Sequence, residues 1–316
     1  MFWTSWLLAG LAIALAWPVP VFLSRASWPA RAPFAAMVLW QAIALAGGLS
    51  MIGAMLFWGL LPLGGNLGEG LEGLRRIILG QESLDRLGFI HTFALSAAGL
   101  LTVHLLFTLW LTYFRINRQR RHHRDLLHLL SFPDAERPDT LVINHKAPVA
   151  YCLPGGSRSV TVLSDGLMAL LSPEELRAVL LHEQTHLAQR HHLLLWAFAA
   201  WRAALPWLPT SKLAQRAVSS LIEIMADDVA LRHVTKSTLV AAIALVASGS
   251  SELPAAALVG GSGEKIDTPA TTSARLSRLL TPEPALGTGA QVLILSGALL
   301  LLAAPTALLT VPGLLH

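Results

Sequence analysis

Four apolar runs punctuate the chain: Trp3 to Leu23, Phe34 to Leu63, Gly88 to Phe114 and Gly289 to Leu314. Each is near or above the roughly 20 residues that a helix needs to cross a hydrocarbon core about 30 Å thick. The first carries Pro18 and Pro20 near its end and is soon followed by the second, so it reads as a retained anchor rather than a cleaved leader. Trp3, Trp6, Trp28, Trp58 and Trp110 stand near the ends of runs, where an interfacial aromatic belt places them.

Between the third and fourth runs the pattern changes. Two short β-branched stretches, Thr140 to Ile143 and Ser159 to Ser164, flank the turn-forming Pro154-Gly155-Gly156-Ser157 and predict a hairpin or small sheet. Helical patterning begins after Leu163-Ser164-Asp165-Gly166. Ser172-Pro173-Glu174-Glu175 offers an N-cap, a proline at the first helical position and a glutamate that reaches back to the cap. Neither proline nor glycine occurs between Glu174 and Leu193, so this helix is expected to run from Pro173 through Leu193 or beyond. Leu193 to Pro209 is apolar but broken by Arg202 and Pro206, which predicts a helix buried against the membrane face rather than a fifth span. The expected fold is a mainly α membrane protein with four transmembrane helices. An α+β domain, a small sheet plus helices, lies between the third and fourth. Residues 1–114 form the three-helix membrane region, 115–286 the domain and 287–316 the last span.

Composition strengthens that picture. Of 316 residues, 54% are hydrophobic and 13% charged, against about a quarter charged in soluble domains. Net charge is +4, yet the basic residues gather beside apolar runs instead of forming a broad patch, so no direct nucleic-acid binding is expected. Arg115, Arg118, Arg120, Arg121 and Arg124 come after the third run, and Arg25 and Arg31 lie between the first two; the positive-inside rule puts both segments in the cytoplasm. The 115–286 domain is then cytoplasmic, in a multi-pass protein of the cell membrane. The single cysteine, Cys152, excludes an internal disulfide framework.

The candidate chemistry sits on the capped helix. His182 and His186 of His182-Glu183-Gln184-Thr185-His186 are four apart, so their imidazoles share a face and can hold one metal ion. Glu183 can take a proton from the attacking water and pass it to the departing amine. Such a pattern arises by chance in roughly one or two of a hundred chains with this many histidines, so it needs a third ligand. Glu223 is the best one: it is an acid in the apolar stretch Leu221 to Ala226, with Asp227 one turn later placed to hydrogen-bond a ligating imidazole. His233, about three turns beyond Glu223, is a candidate substrate contact. His191 and His192 are expected to drift off the ligand face into polar or interfacial roles. His91 and His104, inside the third run, read as packing or interhelical hydrogen-bonding residues.

Taken in order, Thr161 to Leu167, Leu171 to Leu176, His182 to His186, Arg190-His191 and Glu223 to Asp227 resemble the successive motifs of gluzincin membrane peptidases. That group includes HtpX, the CAAX prenyl proteases and the BlaR/MecR antirepressors, and the likeness spans Val149 to Leu280. It implies a zincin-like domain in which His182, His186 and Glu223 bind Zn2+, Glu183 is the catalytic base and Asp227 supports the site. Thr268-Pro269 before Arg275 looks like the group's His-Pro segment with threonine in place of histidine, and Arg275 remains a candidate substrate or transition-state contact. Three spans before the site and one after are similar to the BlaR/MecR arrangement, which implies a protease acting on a protein substrate such as a transcriptional repressor. The sequence ends at His316, so β-lactam sensing through a following penicillin-binding domain is not expected of it. The alternatives are HtpX-like quality control of membrane proteins and a non-catalytic, zinc-stabilised membrane signal transducer.

Overall fold

A computed structural model describes the chain except for residues 135, 136, 138, 154–158, 251–268 and 315–316. Its helices are α1 (Phe2–Ala16), α2 (Pro18–Arg25), α3 (Pro33–Leu60), α4 (Leu67–Ile78), α5 (Phe89–Leu130), α6 (Asp165–Leu170), α7 (Pro173–Ala188), α8 (His191–Ala204), α9 (Pro209–Ala230), α10 (Lys236–Ser250), α11 (Pro269–Leu280) and α12 (Thr288–Leu314). Its strands are β1 (Ser131–Pro133), β2 (Thr140–Ile143), β3 (Ala150–Leu153) and β4 (Val160–Ser164).

Among the described residues, four helical stretches are long and apolar enough to cross a membrane: Phe2–Arg25, Pro33–Leu60, Phe89–Leu127 and Thr288–Thr310. The first joins α1 to α2 across Trp17, whose backbone leaves helical geometry just ahead of Pro18, a residue that cannot continue the hydrogen-bond ladder. α3 is the hub, packed against α1, α5, α9 and α12. The two histidines within the third apolar stretch make the interhelical hydrogen bonds that the sequence suggested. His91 Nδ1 donates to the Trp58 carbonyl at 2.9 Å, and His104 Nε2 donates to the Ala204 carbonyl at 3.0 Å. α5 runs 42 residues without a break, past Phe114 and through the arginine cluster, and hands directly into β1.

The sheet has order β1-β2-β4-β3. The two β-branched runs are parallel neighbours, with Thr140 opposite Thr161, so they do not form a hairpin with each other. β4 instead pairs antiparallel with Ala150–Leu153, a strand without β-branched residues whose side chains are all buried. The expected turn at 154–157 lies outside the described residues. Cys152 is buried in β3 against Thr161. After β4 the chain turns at Gly166, where a Cβ would stand 1.8 Å from the Lys146 carbonyl oxygen, so only glycine fits.

α8 is 14 residues long and packs against α5 and α9. Trp201 closes on Gly48, Leu205 and Leu208 pack with Met51, Leu101 and Leu105, and the Thr210 hydroxyl donates to the Leu15 carbonyl at 2.8 Å. Trp40, Ile43, Phe198, Val218 and Ile222 form one buried cluster. The helix that carries Glu223 is therefore clamped to the long apolar helices by apolar burial, at about 25 cal/mol per Å² removed from water.

Candidate metal centre

α7 starts where the sequence placed it. The Ser172 hydroxyl accepts from the Glu175 amide and the Glu175 carboxylate accepts from the Ser172 amide, with Pro173 at the first helical position. Its end is a correction: α7 stops at Ala188 instead of running past Leu193. Arg190 takes left-handed geometry (φ 51°, ψ 36°), rare for a non-glycine residue and costing roughly 1–2 kcal/mol. The new helix therefore begins at His191 with a changed direction.

His182, His186 and Glu223 converge, each offering one ligand atom within 4.8 Å of the others. The two Nε2 atoms are 3.1 Å apart, and Glu223 oxygens lie 3.2 Å from His182 Nε2 and 3.5 Å from His186 Nε2. Tetrahedral zinc with bonds of about 2.0–2.1 Å places its ligand atoms about 3.3 Å apart. The observed separations, Oε2 to His182 and Oε1 to His186, are close to that spacing, and two imidazoles with one carboxylate are a suitable three-residue donor set for a catalytic zinc ion.

Arg275 on α11 holds both Glu223 and Asp227, the carboxylate behind His182. Its guanidinium makes two hydrogen bonds to Asp227, at 2.8 and 2.7 Å, and lies 3.1 Å from Glu223. Asp227 Oδ1 is 2.9 Å from His182 Nδ1 and accepts its proton. Burial and the Arg275 charge push His182 down, but hydrogen bonds to Asp227 and Glu223 and the Asp227 charge overcome both and hold it at about 9. Burial would raise Glu223, yet the His182 hydrogen bond and the charges of His182, His186 and Arg275 hold its carboxyl well below the usual range. Asp227 is likewise held down, against burial, by hydrogen bonds from His182 and Arg275. A ligating imidazole must be neutral, so a bound ion takes over the compensating role of the His182 proton.

The remaining candidates occupy different surroundings. Glu183 is half-buried on α7 beside His182. Arg275 is buried, with its guanidinium on Asp227 and Glu223. His233 is exposed in the turn after α9, and the three-residue ligand cluster does not include it. Thr268 lies outside the described residues. His191 is the residue that the spacing argument misplaced: it is 1% exposed and its Nδ1 is 3.0 Å from His186 Nδ1. Burial, then the neighbouring His186 charge, push it down to about 4. A continuous helix would have carried it off the face, and the left-handed Arg190 brings it back. The adjacent Gln189-Arg190-His191 offered no glycine to signal that turn.

The family model for peptidase family M48 matches residues 116–283, more than half of the chain and the whole of this site. No curated protein and no solved structure gives a significant match.

Proposed function

Since the chain belongs to peptidase family M48, we propose that it is a multi-pass membrane zinc endopeptidase that hydrolyses a protein substrate. The observation that carries this reading is the His182, His186 and Glu223 triangle, whose edges suit zinc and whose supporting charges are buried and paired. His182, His186 and Glu223 would hold a zinc ion, which would supply Lewis acidity toward the scissile carbonyl and toward water. Glu183 takes the proton from the attacking water on its carboxylate and delivers it to the departing amine nitrogen. His182 keeps its Nδ1 proton on Asp227, and Arg275 holds Asp227 and Glu223 in place. The arginines from Arg115 to Arg124 support a cytoplasmic location for this machinery.

The position of α8 bears on the substrate. Trp196 Nε1 donates to the Leu109 carbonyl at 3.3 Å and its ring meets Tyr113, so α8 is level there with the end of the apolar part of α5. His191 is five residues away, about 7.5 Å along the helix. This supports quality control of membrane proteins, with a scissile bond presented near the bilayer, beside cleavage of a repressor. Comparative proteomics of parent and Glu183→Gln cells tests both. A protein that accumulates uncleaved in the variant names the substrate; identical processing in the two strains contradicts the enzymatic reading and leaves a zinc-stabilised transducer.

A further inference from the structure

We infer that His191 is a positioning residue that fixes the tautomer of His186 and so keeps its Nε2 lone pair aimed at the metal; the inference rests on the metal-centre reading above. His186 turns Nε2 toward His182 and Glu223 and Nδ1 toward His191. Two ring nitrogens 3.0 Å apart must be one donor and one acceptor. The far nitrogen of His191, Nε2, lies 2.8 Å from Gln189 Oε1. A carbonyl oxygen only accepts, so His191 Nε2 carries the proton and His191 Nδ1 is the acceptor. His186 Nδ1 is then the donor, and its Nε2 bears the lone pair that ligation requires. The reverse polarity would put a proton on His186 Nε2 and close the site.

The two ligands thus reach the same tautomer by different routes. His182 donates from Nδ1 to the carboxylate of Asp227, which is ion-paired to Arg275. His186 donates to a chain of uncharged groups, His191 and then Gln189, folded into reach by the left-handed Arg190. Gln189 is exposed and His191 is buried, so the relay can be cut from outside without opening the core.

The test is zinc affinity of the full chain in detergent micelles, by competition with a chromophoric chelator. His191→Leu should weaken zinc binding roughly 10–100-fold, and His191→Asn, which restores a carbonyl acceptor, should recover most of the loss. Gln189→Leu should weaken binding in the same direction, whereas Gln189→Glu, which can only accept, should match the parent. The Gln189 pair decides the matter if His191→Leu does not fold. Parent-like affinity in Gln189→Leu, or an Asn variant as weak as the Leu variant, overturns the relay while leaving the metal centre standing. A parent that binds no zinc overturns the metal centre itself.

Discussion

Two helices that touch each other, α3 and α9, are stabilised in different ways. α3 has no Asp, Glu, Lys or Arg in 28 residues, and meets its neighbours through glycines, alanines and Trp40. Gly48, Gly53 and Gly59 each sit where a Cβ would press on another helix. α9 shares an apolar cluster with α3 on one face and carries Glu223 and Asp227, both tied to Arg275, elsewhere. Fit between surfaces holds the first contact, and charge compensation at low dielectric holds the second. The bundle should therefore be sensitive to added volume, and the centre to any change that leaves one charge without its counterpart.

The largest expected effect comes from removing the guanidinium. Arg275→Met leaves buried Asp227 and half-buried Glu223 to share His182 as their cationic partner and should destabilise the metal-free domain by about 3–5 kcal/mol, measured by detergent or thermal unfolding. A loss under about 1 kcal/mol would mean that the centre is not charge-balanced. Asp227→Asn keeps the shape but weakens the acceptor behind His182, and zinc affinity should fall roughly 10–100-fold. On the other side of the comparison, Gly59→Ala puts a Cβ 2.5 Å from Leu95 Cγ and 3.0 Å from the His91 carbonyl oxygen. It should cost about 1–3 kcal/mol in dodecyl sulfate unfolding while leaving zinc affinity unchanged. A fall in zinc affinity would show that bundle and centre are one cooperative unit.

The smallest effect is a pH dependence in the sheet. Burial pushes Tyr151 up to about 12 from an ordinary 10. An acid whose folded value is raised contributes stability that is complete below about pH 10 and is lost as pH rises through about 12. Tyr151→Phe should remove that alkaline loss, which paired pH titrations of unfolding would detect. Equal slopes for the two proteins would show that Tyr151 does not govern it.

The sequence revealed the features that depend on local pattern. Apolar runs announce long helices with the length and composition to cross a membrane, and Ser172-Pro173-Glu174-Glu175 announces α7 because the cap is chemically self-contained. Glu223 and Asp227 were found because an acid pair one turn apart in an apolar stretch has few other uses. What stayed hidden depends on a backbone choice or on partners distant in the chain. The left-handed Arg190 carries no glycine, so the break before α8 and the return of His191 were invisible. β3 is Ala-Tyr-Cys-Leu, a strand by virtue of its burial against β4 and α7, not by propensity. Arg275 was noticed, but its pairing with Asp227, 48 positions earlier, belongs to the tertiary structure.

The central claim is that His182, His186 and Glu223 hold a zinc ion on which Glu183 acts as base. Zinc content and peptide-bond cleavage should be measured together on the purified full chain and on Glu183→Gln. The account predicts one zinc per chain in both, with cleavage in the parent and a loss of about 10²-fold or more in the variant. A parent without stoichiometric zinc, or a Glu183→Gln protein that cleaves as fast as the parent, would contradict it.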